Sequence, residues 1–529
     1  MEPEQLYAAC LGGTLLLLLV FRFAPTSYRP VPTSDRRWRY WIARLFRFTY
    51  RKLCFLFLKH VLYPRLFGHI SRYRFILQSI YWAGTITCNF VGTHTLSSMA
   101  ARAGNIAVLN FISLLLAGRI YIAADLLGLS YRSYLHVHRT FAMMTFVQTT
   151  LHTVMSIREH GWLPYEQLQF YGILGIAACA ASFIIVVFRK WVYEVFIKMH
   201  YWLGILALGT IWRHIYIQRV FAQLYVLVGS IIFALTTLLH WVLLVLRNVT
   251  CHKCGSRASV IRGADLQTAQ IDIPVNRPFT VRAGMTVYIW MPGVSLLSAL
   301  YCHPFTIAWW ENNDTGKATK ITLLVNRRSG FTRNLIEHRA KEFITWIDGP
   351  YGNFFDLRPY QRILMLASGV GITAQISYIR ELLEANAHPT RSIFVVWEVE
   401  EEGNLRSVHH WMNELLTQDK HSYILRFGLY IPRNPKSHGA PEPWNSLHDR
   451  IWKMQGPIDT WKAVTQEFWK GPGNALVTVS AYGAIRREIR KVIQANMEDI
   501  VDLVELPFQP EINRPVFTPG KRRGVVEEV

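Results

Sequence analysis

Acidic residues are scarce in this chain. Against 57 Lys and Arg stand only 35 Asp and Glu, a formal net charge of +22 over 529 residues. Such an excess raises a nucleic-acid partner first, but its placement argues against one. Thirteen Lys and Arg lie between Arg22 and Arg74, beside long apolar runs. Positive charge flanking apolar spans marks a cytoplasmic loop, so no nucleic acid is expected. Cysteine is also sparse: Cys10, Cys54, Cys88, Cys179, Cys251, Cys254 and Cys302 are scattered, which excludes a disulfide framework. Cys251-His252-Lys253-Cys254 has no second pair at zinc-site spacing, and it is not a CxxCH haem attachment. Repeats of 20–50 residues are missing, which excludes a solenoid. The first apolar run, Leu6 to Phe23, has acidic Glu2 and Glu4 where a signal peptide is basic, and no small-x-small cleavage site follows it. It reads as a retained helix with its N-terminus outside.

What the chain has is hydrophobicity, 51% of residues, concentrated before residue 249. Seven spans are expected: Leu6–Phe23, Phe75–Val91, Asn105–Ala124, Tyr134–Ser156, Phe170–Phe188, Val192–Tyr216 and Phe221–Val245. The expected domains are an N-terminal span with a basic loop (1–74), a membrane bundle (75–248), a β-barrel (249–357) and an α/β domain (358–529). With the basic loop inside, the turns Gly128–Ser133 and Arg189–Trp191 and everything after Leu246 fall inside, while Ile157–Gln169 falls outside. Membrane lipid is then the first partner.

Two of these helices carry histidines at one interval: thirteen residues separate His138 from His152, and thirteen separate His200 from His214. A step of 14 residues falls about 40° short of four full turns and rises about 21 Å. Each pair therefore shares a face, one member towards each side of a hydrocarbon core about 30 Å thick. Ionisable groups inside spans are expensive and usually functional, and paired neutral imidazoles suit haem iron. Two stacked bis-histidine haem sites are expected, His138 with His200 on the cytoplasmic side and His152 with His214 on the outer side. His136 is about 160° out of phase with His152, and His240 has no mate at this interval. Arg139 and Arg213 adjoin ligands and suit either haem propionates or snorkelling to the interface.

After the spans, short strand-like runs at Ala258–Ile261, Thr268–Ile273, Thr286–Trp290, Ile321–Val325 and Phe343–Asp348 read as a small antiparallel barrel. His303-Pro304-Phe305-Thr306 offers an aromatic to stack on a flavin and a hydroxyl for its edge. Gly330-Phe331-Thr332 precedes a short helix, a place for pyrophosphate or a plain helix start. Gly349-Pro350-Tyr351-Gly352 reads as a hinge. From Gln361 the pattern becomes strand, glycine turn, helix. Arg362–Ala367 leads into Gly369-Val370-Gly371-Ile372-Thr373 and a helix over Gln375–Ala387, the setting of a nucleotide loop. Further strands are expected at Ser392–Glu398, Tyr423–Tyr430, Ala475–Ser480 and Val501–Glu505, with a helix at Leu405–Leu416 and a long loop from Pro432 to Asn474. Phe508, after the last strand, offers a ring to the flavin face opposite Phe305.

In this order the parts resemble a fungal ferric reductase of the ferric reductase/NADPH oxidase superfamily, over residues 70–510. The family's two His-x13-His helices fall on His138/His152 and His200/His214. Its flavin motif falls on His303 to Thr306, its nucleotide loop on Gly369 to Thr373, and its terminal aromatic on Phe508. Ala101-Arg102-Ala103-Gly104 and Leu116-Ala117-Gly118-Arg119 are also similar to family sequence. The resemblance implies a polytopic α-helical membrane bundle followed by a ferredoxin-reductase-like module, an FAD barrel with an α/β nucleotide domain. It implies a plasma-membrane enzyme with FAD, two haem b and NADPH or NADH, passing electrons to ferric iron or its chelates. An oxidase-like enzyme reducing O2 is the alternative within the superfamily, although thirteen residues between the second pair favours the metalloreductase branch. A non-enzymatic seven-helix protein is the alternative outside it. Two departures stand out: Ser480-Ala481-Tyr482 replaces Cys-Gly-Pro, and Trp397-Glu398-Val399-Glu400 replaces Trp-x-Val-Arg. Carboxylates there would repel a 2′-phosphate and accept ribose hydroxyls.

Overall fold

The computed structural model describes residues 2–23, 72–189, 191–218, 222–263, 266–295, 298, 301–328, 330–352, 354–385, 390–399, 402–419, 423–431, 442–443, 449–468, 474–495 and 501–508. Most of the basic stretch between Arg22 and Arg74, together with Glu400 and Glu401, lies outside the described residues. The chain divides into two units, Met1–Leu238 and Leu239–Val529.

The first unit is helical. Its elements are α1 (Pro3–Phe23), α2 (Arg72–Phe90), α3 (Leu96–Leu115), α4 (Ile120–Leu126), α5 (Tyr131–His160), α6 (Gln167–Phe188), α7 (Tyr193–Gln218) and the start of α8 (Ala222–Asn248). Every expected span is a helix, with one interruption. The run Asn105–Ala124 is broken by a tight turn at Leu116–Arg119 between α3 and α4. A side chain on Gly118 in that turn would meet the Phe233 ring at 2.8 Å. Five stretches are long and apolar enough to cross a membrane: Pro3–Val20, Leu96–Leu126, Gln167–Phe188, Val195–Tyr216 and Ala222–Asn248. Among the described residues, α2 and α5 fall short of that measure of length and composition. The reason in α5 is its burden of histidine, arginine and threonine. α3 begins in a capping box, with Thr95 and Ser98 each satisfying the other's backbone N–H. α5 starts on a Ser130 cap.

The second unit opens with the last turns of α8. Asn248 donates to the Ile347 carbonyl and accepts from the Ile347 N–H, at 2.8 and 2.7 Å. His240, read from sequence as a structural histidine, pairs with Asp348 at 2.9 Å. A closed barrel follows, built from β1 (Ser256–Arg262), β2 (Thr268–Phe279), β3 (Thr286–Trp290), β4 (His303–Asn312), β5 (Ala318–Asn326) and β6 (Glu342–Tyr351), in the order β1-β2-β5-β4-β3-β6. Alternate residues such as Ile271, Ile273, Val287, Ile289, Ile321 and Leu323 fill its interior, the period-two pattern of strands with one buried face. The supposed hinge is part of this barrel: Gly349 to Tyr351 close β6.

The α/β part comprises β7 (Arg362–Ser368), α10 (Ile372–Glu384), β8 (Ser392–Glu398), α11 (Glu402–Gln418), β9 (Leu425–Ile431), β10 (Glu442–Pro443), β11 (Ile451–Gln455), α12 (Thr460–Phe468), β12 (Ala475–Ser480), α13 (Gly483–Ala495) and β13 (Val501–Glu505). α9 (Phe331–Glu337) belongs to the barrel. The sheet order is β10-β11-β9-β8-β7-β12-β13, parallel except for β10. Barrel and sheet together form a ferredoxin-reductase-like module. One expectation fails: the stretch Pro432–Asn474 is not simply a loop. Ile451–Gln455 pairs in parallel with β9, and Thr460–Phe468 is a helix. The strand escaped the sequence pattern because Ile451 alone is buried while Trp452 to Gln455 stay half-exposed.

Helix α10 fastens the sheet to the barrel. Glu381 accepts from the Arg282 guanidinium and from the Ala283 N–H, the latter at 2.7 Å. Arg380 lies 4.5 Å from the centres of both the Trp309 and Trp310 rings and donates to the Trp310 carbonyl. Removing Glu381 would strand two donors. Glu381→Ala is expected to destabilise this unit by about 1–3 kcal/mol, and Glu381→Gln by less. Urea unfolding of the full chain in detergent, followed by tryptophan fluorescence, measures the difference.

Candidate functional site

The two histidine-bearing helices meet ring to ring. The His138 ring of α5 lies 6.2 Å from that of His200 on α7, with planes at 76°. One 14-residue step further along, His152 lies 5.9 Å from His214 with planes at 84°. His136 joins neither pair. The second pair is braced from outside. His152 Nδ1 is 2.8 Å from the Ala100 carbonyl, and His214 Nδ1 is 2.8 Å from the Leu168 carbonyl. A carbonyl only accepts, so each Nδ1 carries the proton and each Nε2 keeps its lone pair. His138 Nδ1 is buried with no hydrogen-bond partner among the described residues. Arg213 lies over the Tyr171 ring at 5.8 Å.

In the barrel, the motif residues divide by strand alternation. Pro304 pairs with Tyr288, and Thr306 with Thr286, on β3. Phe305, expected as a stacking surface, lies among the buried residues of the barrel at 7% exposure. His303 stacks on Phe331, ring centres 4.0 Å apart, and burial pushes its imidazole pKa down to about 4. Gly330 takes φ +80 and caps the short helix α9, while Thr332 accepts from the Arg328 N–H at 2.9 Å.

In the sheet, the strand order reverses between β7 and β12, the usual ligand crevice of an open α/β sheet. Gly369 to Thr373 lies there. Gly369 takes φ +52, and its carbonyl accepts from the Trp397 indole at 2.8 Å. A side chain on Gly371 would sit 1.8 Å from the Ser480 carbonyl, so glycine is obligatory. Val370 and Ile372 are buried in the sheet's core, and the Thr373 hydroxyl donates back to the Val370 carbonyl at 2.8 Å. Tyr482 donates its N–H to Ser368 Oγ at 2.9 Å. Phe508 stands edge-on to the Tyr482 ring at 6.1 Å. Sequence reasoning missed the bracing carbonyls of Ala100 and Leu168, since a backbone carbonyl leaves no mark on residue type. It also missed Gln375, which bridges Ser480 and Thr478 at 2.8 Å each; an amide on the apolar face of this amphipathic helix, between Ile372 and Ile379, was the available signal.

Comparison with known proteins follows the same partition. Residues 103–211 match the model for the ferric reductase like transmembrane component, residues 261–354 an FAD-binding domain, and residues 360–456 the ferric reductase NAD binding domain. Ferric/cupric reductase transmembrane component 2 of Saccharomyces cerevisiae is 26% identical over 310 residues, 55% of this chain and 41% of that protein. The probable cell surface ferric reductase kap2 of Aspergillus oryzae is 26% identical over 365 residues, 62% of this chain and 46% of that protein. Ferric reduction oxidase 4 of Arabidopsis thaliana is 25% identical over 175 residues, 32% of this chain and 24% of that protein. The chain thus spans less than half the length of each of these relatives. Three models fall in order along the chain, each in register with a separate part of the fold, and the chain is similar in each part to ferric reductases.

Proposed function

We propose that this protein carries electrons across a membrane, from a nicotinamide nucleotide through FAD and two b-type haems to ferric iron or a ferric chelate on the far side. The observation that carries this reading is the spacing of the two histidine pairs. Were two imidazoles to share one metal through bonds of about 2 Å, their ring centres would stand roughly 6.3 Å apart. The pairs here stand at 6.2 and 5.9 Å, and the outer two keep Nε2 available, so the residues fit haem. In the barrel, a neutral imidazole at His303 and the Thr306 hydroxyl suit an uncharged flavin ring. In this orientation the barrel and sheet are cytosolic and the membrane is the plasma membrane.

When bound, FAD converts a hydride into single electrons and haem iron carries them one at a time. The chain's own part is to hold and to separate. α5 and α7 set the two histidine pairs about 21 Å apart along the helix axis. The Gly369–Thr373 turn, tied by Trp397 and sealed against Ser480, holds the nucleotide crevice open at one width.

The first test is an absorption spectrum of the purified protein with its haem-to-flavin ratio. A b-type spectrum with two haems per flavin is expected; absence of a Soret band overturns the reading. His138→Leu and His214→Leu should each lose at least one haem. With axial planes near perpendicular, the ferric EPR signal should be a single low-field feature rather than a rhombic triplet. Reduced protein mixed with a Fe(III) chelate and, separately, with O2 identifies the acceptor; superoxide formed without iron reduction would replace ferric iron by O2.

The donor is argued from Glu398. It ends β8 in register with Ser368, and its carboxylate accepts from the Ile458 N–H at 3.2 Å. A carboxylate at the end of the second strand suits ribose hydroxyls and repels a 2′-phosphate. NADH is therefore expected to reduce the flavin with at least the kcat/KM of NADPH, and Glu398→Gln to shift the ratio towards NADPH. Stopped-flow flavin bleaching with both nucleotides decides.

His303 generates a pH prediction. The unfolded chain protonates this imidazole as pH falls through about 6.5, while the folded barrel resists to about 4. The stability carried by the neutral ring is complete above that window and is lost through it, by on the order of 3 kcal/mol. The thermal midpoint should drop between pH 6.5 and 4.5 more steeply in the native protein than in His303→Phe.

A further inference from the structure

The two braces behind the outer histidines are built alike. His152 reaches the Ala100 carbonyl of α3, and four residues on stands Gly104; His214 reaches the Leu168 carbonyl of α6, and four residues on stands Gly172. In a helix the carbonyl of residue i faces the N–H of residue i+4. The Cβ of residue i+4 leans towards the helix N-terminus and covers that carbonyl's flank. Any side chain at i+4 therefore occupies the ground an incoming imidazole needs. The distances agree. A Cβ on Gly104 would lie 3.0 Å from His152 Nδ1 and 3.3 Å from its Cε1. A Cβ on Gly172 would lie 3.2 Å from both Nδ1 and Cε1 of His214. Neither glycine has a positive φ, so backbone freedom does not account for either. Gly204 and Gly209 on α7, by contrast, have nothing within 4 Å of an added Cβ.

We propose that Gly104 and Gly172 are positioning residues for the outer haem. Each bares one backbone carbonyl so that an axial histidine can donate its Nδ1–H to it. The bond fixes the tautomer and ring plane and makes the ligating Nε2 more electron-donating, which stabilises ferric over ferrous iron. In the inner pair, His138 lacks a counterpart: its Nδ1 has no hydrogen-bond partner among the described residues, while His200 draws on the Ser182 carbonyl. The two sites are thereby made chemically unequal by backbone and not by ligand type. This inference rests on the haem reading above.

The test is redox titration and ferric EPR of purified full-length Gly104→Ala and Gly172→Ala, with Gly204→Ala as the control. Each brace variant is expected to raise the reduction potential of one haem and shift one EPR feature, the same one in both, leaving the second haem at its native value. Gly204→Ala should match the native protein. Native-like potentials and spectra in both brace variants, with two haems retained, overturn the proposal and leave the haem reading standing. A native protein without haem would overturn that reading itself. Should either alanine variant lose the outer haem outright, Gly104→Ser with its haem content and spectrum separates the cases: retention with a shifted potential supports the brace, and retention with a native potential overturns it.

Discussion

Helical phase is the constraint on which this molecule depends. A 14-residue step returns to nearly the same face only if every intervening turn keeps regular geometry. Neither interval contains proline, and α5 and α7 run unbroken through both. Four threonines of α5 are compatible with this regularity because they are satisfied within it. Thr140, Thr149, Thr150 and Thr153 each donate to the carbonyl four residues back, at 2.7–3.0 Å. A hydroxyl bonded this way asks nothing of lipid or water. A helix rich in threonine can therefore still belong to an apolar bundle.

The same regularity explains what was legible in the sequence. Periodic features were: the long helices of the first unit, most of the strands and the histidine faces follow from spacing alone. Features made by the backbone were not. Ala100 and Leu168 act through carbonyls, and nothing about alanine or leucine announces that. At the break over Leu116–Arg119, Gly118 lies against Phe233, a residue more than a hundred positions away. Strand β11 shows one buried residue and four half-exposed ones, so it lacks the alternation by which a strand is read. Strand alternation puts Phe305 on the same side as Ile307, inside the barrel.

The glycines divide by the same logic. Gly369 is needed for its φ of +52, whereas Gly371 is needed for a close approach. Its neighbour is the Ser480 carbonyl, a backbone atom that cannot rotate away. The crevice between β7 and β12 is thus as narrow as two backbones allow, and its width is fixed by a contact rather than by a flexible side chain. Gly104 and Gly172 serve a third purpose: each yields ground to a ring from another helix.

This bears on the departure from the family pattern at Ser480-Ala481-Tyr482. Ser480 does not hang loose in the crevice in place of a cysteine. Its hydroxyl accepts from Gln375, whose own oxygen accepts from Thr478, and Tyr482 is pinned through its N–H to Ser368. All of these but Tyr482 are buried, so the network spans β7, β12 and α10 at the floor of the site. Buried polar networks that are fully paired stiffen what they connect. The substitution therefore leaves the crevice floor rigid and moves the change to its rim, where the Tyr482 ring meets Phe508. A thiol would present a small soft group to a nucleotide at this point. Here the approach is framed by two aromatic rings whose positions are set by a strand end and by the segment following β13.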